Sequence, residues 1–175
     1  MNNVTYGGEI NVSELKFIDI HSDDIPKYTV EDGDIVFNRT NSAELVGKTA
    51  VVLGLGPMAF AGYLVRLRVN ERAVPEYIST FLNSPFGKRT LRGMAKSIIG
   101  MANINAKEVQ SILIPQPPVA LQRTFAGRIA EVGRLKAVQL GHLNKLDALF
   151  AALQHRAFRG ELTSEHAAAE LAMAG

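Results

Sequence analysis

Asn38-Arg39-Thr40-Asn41-Ser42 sets five consecutive hydrogen-bonding side chains between two apolar runs, Ile35 to Phe37 and Thr49 to Val52. Asn and Ser in a turn can simply bond their own backbone. Arg39 and Lys48 require more, because each stands within a residue or two of a strand end, where a rigid scaffold aims side chains outward. The chemistry this set can perform is recognition. A guanidinium suits bidentate contact with guanine, Thr40, Asn41 and Ser42 bond adaptably to base edges and phosphates, and Lys48 suits a phosphate. Further on, Asn103 and Asn105 alternate with Ile104, so an extended stretch there turns two amides to one face, and an asparagine amide matches an adenine edge.

The elements that must position these residues are mainly β. Residues 9–18, 28–37, 49–53 and 59–69 read as strands separated by loops rich in Asp, Gly and Pro, and 108–118 closes the region with a strand and a proline bracket. Pro75 opens a short helix, and Ser84-Pro85 is an N-cap followed by proline at the first helical position. Along that second helix Lys88, Arg92 and Lys96 recur every four residues with Arg89 alongside, a face suited to gripping a phosphate backbone.

Charge is segregated in the same sense. Residues 1–34 hold two basic residues against eight acidic ones, whereas 35–107 hold ten basic against three acidic, so the overall balance of +2 hides a basic segment. Such a segment attracts nucleic acid through counterion release. Other classes of chemistry are poorly served. There is no cysteine for a disulfide, a thiolate nucleophile or a thiolate metal site, and the four histidines are scattered outside metal-ligand spacing. Val46-Gly47-Lys48-Thr49 resembles the end of a phosphate-binding loop but precedes a strand and lacks the first glycine, at Ser42. Leu53 to Ala59 fits GxGxxA, yet the following segment alternates Arg66 and Arg68 with apolar residues as a strand does. We therefore expect no catalytic residues, no metal and no cofactor. With no long apolar run and no leader-like N-terminus, we expect a cytoplasmic protein without membrane contact.

From Pro118 the pattern becomes helical. Residues 118–160 carry no proline after the first and place apolar residues at steps of mostly three and four. A helix of that length spans about 64 Å, too long to lie on its own domain. In heptads, Ile129, Val132, Leu143, Leu146, Phe150 and Leu153 fall at a and d, interrupted by Lys136 and Gln139 on the same seam. Gly133 and Gly141 each weaken it by ~1 kcal/mol, so packing against a partner must hold it. Gly160 is a natural stop.

The strings GDIVFNRTNSAELVGKTAVV and INAKEVQSILIPQPP, and a long helix ending LDALFAALQHRAFRGEL, together resemble one half of a type I restriction-modification specificity subunit, over about residues 9–162. The resemblance implies an α+β fold: a β-rich target-recognition domain with short helices over 1–117, a long conserved helix over 118–162 that pairs antiparallel with a partner helix as a coiled coil, and a flexible tail over 163–175. It implies a non-catalytic partner of double-stranded DNA, of adenine methyltransferase subunits and, through them, of restriction subunits, reading one half of a split site. A single domain–helix unit, matching such a domain without the stretch that precedes NVTYGGEI, is expected to homodimerise through the helix. The alternative is a half-subunit that serves only as a scaffold.

Overall fold

The computed structural model describes residues 3–42, 44–98 and 101–162. The chain divides into two units, Met1–Ala126 and Gly127–Gly175. The architecture is α+β, with small antiparallel sheets and a long C-terminal helix.

The alternation over 9–18 yields only an isolated bridge between Val4 and Ile10. A strand needs a partner edge, and 11–18 find none: Val12, Leu15, Ile18 and the fully exposed Phe17 face water. Ser22–Asp24 form a tight turn that runs into the one-turn helix α1 (Ile25–Tyr28), opened by Pro26. Six strands follow: β1 (Thr29–Val30), β2 (Ile35–Asn38), β3 (Thr40–Asn41), β4 (Thr49–Val51), β5 (Met58–Ala59) and β6 (Leu64–Leu67). Helices α2 (Pro75–Asn83) and α3 (Pro85–Met94) come next, then β7 (Lys96–Ile98), β8 (Met101–Asn103) and the short helix α4 (Ala106–Gln110). The strands form three sheets, β1-β5, β4-β2-β6 and β3-β8-β7.

Strand β2 is central, and all four of its residues are buried. Successive side chains point to opposite faces, so β2 serves two cores. Phe37 joins Val46, Leu82, Leu91, Ala102 and Ile104 beneath the helices, while Val36 joins Val4, Val30, Ala50 and Val52 on the other side. The two helices beneath meet at a sharp corner: the Ser84 hydroxyl accepts the Gly87 N–H. A Cβ on Gly87 would stand 2.2 Å from the Phe81 carbonyl oxygen, so glycine alone lets α3 start this close to the end of α2.

A charged clamp ties β6 to the turn before β2. Buried Asp34 accepts Arg68 Nε at 2.6 Å, Arg68 Nη2 at 3.1 Å and the Glu31 N–H at 2.9 Å. Burial pushes its carboxyl up, but the bond from Arg68, the Glu31 N–H and the charges of Arg68 and Arg66 outweigh that and hold it below the ordinary 3.8. A depressed carboxyl contributes stability above its unfolded value, and that stability is lost as pH falls through the folded value. Asp34→Asn is therefore expected to cost about 1–3 kcal/mol at pH 7 and far less near pH 2, as read by urea unfolding at both pH values. An equal cost at both would mean that the charge pair contributes nothing.

Segment 108–118 holds no strand. It begins inside α4 and continues as extended chain without a sheet partner. The final helix, α5 (Val119–Phe158), is continuous through Gly127, Gly133 and Gly141. Its opening turns belong to the first unit. Gln122 is buried, donating to the carbonyls of Pro117 and Arg72 at 2.8 and 3.1 Å and accepting the Val74 N–H at 2.9 Å. Phe125 meets Tyr77 edge-on with ring centres 5.7 Å apart. The unit boundary thus falls inside the helix, beyond residue 117. In the second unit every large apolar side chain from Ile129 to Leu153 is at least 39% exposed. Gly160, at φ 73°, ends the helix, with its N–H on the Ala157 carbonyl and that of Glu161 on the Arg156 carbonyl. The tail over 163–175 lies outside the described residues. No helix among those described is long and apolar enough to cross a membrane.

Candidate nucleic-acid interface

The polar run that begins at Asn38 is a tied excursion from β2, and part of it is strand. The Asn38 N–H donates to the Lys48 carbonyl and its carbonyl accepts the Gly47 N–H, both at 2.8 Å, so residues 39–46 leave and return through one neck. Gly47 makes that neck possible. Its φ is 77°, and a Cβ there would come within 2.7 Å of Leu91 Cδ1. Within the excursion Thr40 and Asn41 pair with Asn103 and Ala102 of β8. Arg39 is anchored on both sides, its N–H on the Tyr63 carbonyl and its carbonyl accepting the Ile104 N–H, each at 2.9 Å. Asn41 Oδ1 accepts the Ser42 N–H, a local turn bond.

This pairing brings together residues more than sixty positions apart. Arg39 Nη2 lies 3.5 Å from Asn103 Oδ1, and Asn103 Nδ2 donates to Thr40 Oγ1 at 3.2 Å. Arg39, Thr40, Asn41, Ser42 and Asn103 are all half-buried, so each is held without being sealed off. Asn38, fully buried beside them, leaves both polar atoms of its side chain without a hydrogen bond among the described residues, as does Arg39 Nε. Such orphaned groups are costly and accumulate where a surface is shaped for something other than stability.

Other candidates are differently disposed. Asn105 does not share a face with Asn103. It caps α4, accepting the Glu108 N–H at 3.0 Å while Glu108 accepts its own N–H at 2.8 Å. The spacing Asn105-x-x-Glu108 is a capping-box signature, legible in the sequence, and it prevails over the alternation around Ile104. The four-charge face of the second helix is interrupted. That helix ends at Met94, Lys96 falls in β7 with its side chain outside the described residues, and Lys88 turns inward. Arg89 and Arg92 remain exposed on α3. The physical reason is that Lys88 lies one turn before the buried Leu91 and shares its covered side.

Some of the basic segment is structural. Arg66 donates to the carbonyls of Pro26 and Thr29, Arg68 serves Asp34, and Arg72 reaches Gln116 at 3.4 Å. Lys48 is almost covered, and burial lowers its ammonium below the usual value. Lys88, equally covered, is lowered to about 8 by burial first and then by the charges of Lys48 and Arg92. In the GxGxxA string, residues 53–57 form a loop leading into β5, and another strand, β6, follows where a dinucleotide fold would have a helix.

The small α+β module that brings Arg39, Thr40 and Asn103 together is continued by one long helix whose large apolar side chains from Ile129 to Leu153 are exposed. Over most of its length the chain is similar to specificity subunits of type I restriction enzymes. It is 26% identical over 165 residues to the type I restriction enzyme EcoKI specificity subunit of Escherichia coli (strain K12), covering 90% of this chain and 36% of the relative. It is 29% identical over 140 residues to the putative type I restriction enzyme MjaX specificity subunit of Methanocaldococcus jannaschii (78% and 32%), and 25% identical over 155 residues to the StySPI specificity subunit of Salmonella potsdam (85% and 34%). The chain thus spans about a third of the length of the curated relatives it matches. No protein-family model matches it.

Proposed function

We propose that the chain reads one half of a bipartite DNA site and, without catalysing a reaction itself, directs adenine methyltransferase and restriction subunits to it. The observation that carries this reading is the convergence of Arg39, Thr40 and Asn103 at one end of the β3-β8-β7 sheet in a chain similar to specificity subunits. Arg39 supplies the bidentate guanine contact, and Asn103 is the second base reader. Thr40, Asn41 and Ser42 bond to neighbouring edges and phosphates. Arg89 and Arg92 hold the backbone from α3, and Lys48, Lys88 and Lys96 add to the same field. The helix face from Ile129 to Leu153 pairs antiparallel with a second copy. Because the domain precedes the helix in each chain, such pairing sets two recognition domains at opposite ends of a two-helix spacer, one for each half-site. Leu135 and Leu140, at g and e, flank the polar positions Lys136 and Gln139 and widen that face, leaving room for a methyltransferase subunit beside the partner helix.

Duplex binding is expected to weaken as salt rises, because phosphate contacts release counterions. Arg39→Ala is expected to cost about 1–3 kcal/mol on the preferred sequence and to relax discrimination at one base, measured by competition among duplexes of differing sequence. An equal loss on every duplex would demote Arg39 to a phosphate contact. That result would favour the scaffold-only reading, in whose support Lys88 and Asn105 already have partners inside the domain.

A further inference from the structure

Lys48 and Lys88 are each more than nine-tenths covered, and both come from the basic segment. The charges acting on the Lys88 ammonium are those of Lys48 and Arg92, both positive. Burial works against the charge of both ammonium groups.

The geometry around Lys88 is closed and specific. Its Nζ donates to the Gly47 carbonyl at 2.9 Å, which uses one of its three donors. The Tyr6 ring lies over it, 5.3 Å from Nζ to the ring centre, and Arg92 Nη2 is 3.5 Å from the Tyr6 hydroxyl. The turn that carries Tyr6 is itself pinned. Gly8, at φ 89°, lies so close to Asn83 and Thr49 that a Cβ would come within 2.6 Å of Asn83 Nδ2 and 3.2 Å of the Thr49 carbonyl oxygen. Asn83 in turn donates to that same carbonyl at 2.6 Å. The N-terminal turn, the neck of the recognition loop and α3 therefore converge on one cationic spot.

We propose that Lys88, Arg92 and the Tyr6 hydroxyl form a seat for a single phosphate of the DNA backbone, with the exposed Tyr6 ring as its wall. The proposal rests on the DNA-reading function and adds a defined anchor to it. An ammonium group, a forked guanidinium and a phenolic donor together suit a tetrahedral oxyanion. The seat lies at Gly47, where the excursion bearing Arg39 and Thr40 closes, so a phosphate held there sets the register of the duplex against those side chains. Binding is proton-linked. In the free protein burial and the two neighbouring cations hold the Lys88 ammonium at about 8, and a phosphate beside it favours the charged form. Affinity is then constant below that value and falls as pH rises through it.

The test uses the full chain and two variants, Lys88→Met, which keeps the stem, and Arg92→Gln, at an exposed position. Each is expected to weaken duplex binding about tenfold, equally on every sequence, and to lower the log–log salt slope by about one. Arg92→Gln also moves the alkaline fall in affinity to higher pH, which a purely structural lysine would not produce. An unchanged salt slope in both variants overturns the seat, whatever Arg39→Ala does to discrimination. If the unmodified chain binds no duplex, the DNA-reading function fails, and thermal melting with millimolar inorganic phosphate reads the seat directly. A stabilisation by phosphate that Lys88→Met abolishes assigns the seat to a free anion, and no stabilisation overturns it.

Discussion

Replacing Leu146 and Phe150 with aspartate is expected to abolish the proposed homodimer, lowering its association constant at least about a thousandfold. Both side chains are 62% exposed and occupy d and a of the seam. Burying a large apolar side chain contributes about 1.5–3 kcal/mol, and a two-fold pair buries each residue twice. The substitution removes that gain and adds a carboxylate that would have to be desolvated at the interface. Light scattering at tens of micromolar reads the change. The β-rich unit is expected to unfold at the same urea concentration as before, since neither residue belongs to its cores. An unmodified protein that is monomeric at tens of micromolar would end the homodimer proposal and leave the face to a methyltransferase subunit.

Phe37→Ala is expected to cost about 3–5 kcal/mol, within the usual range for removing a buried phenylalanine ring. Phe37 is fully buried on the central strand, packed with Val46, Leu82, Leu91 and Ile104. Those neighbours belong to the 39–46 excursion, α2, α3 and the chain leading into α4, so one cavity loosens elements on both sides of Arg39 and Asn103. Against a typical domain stability of about 5–15 kcal/mol, the loss is large enough to move the urea midpoint visibly. Arg39→Ala, at a half-buried edge, is expected to change that midpoint little while altering DNA discrimination. A loss below about 1 kcal/mol for Phe37→Ala would mean that the core collapses onto the gap and does not depend on this ring.

The parts of the structure legible in the sequence are those set by local rules. The Ser84-Pro85 start, the uninterrupted helix from about 118 and its stop at Gly160 follow from caps, proline placement and three-to-four spacing, which act within a turn or two. The apolar stripe of α5 is legible for the same reason, and so is the Asn105-x-x-Glu108 box, although the alternation around Ile104 suggests a strand instead. What only the tertiary structure decided is which side of each element is covered and which distant residues meet. Alternation over 9–18 met no sheet edge and stayed out of the sheets. Lys88 and Arg92 have the same spacing that suggests a shared basic face, yet the turn carrying Tyr6 covers one and leaves the other in water. Arg39 and Asn103 became neighbours because β3 paired with β8, and a strand pairing across more than sixty residues leaves no mark in the spacing of either segment.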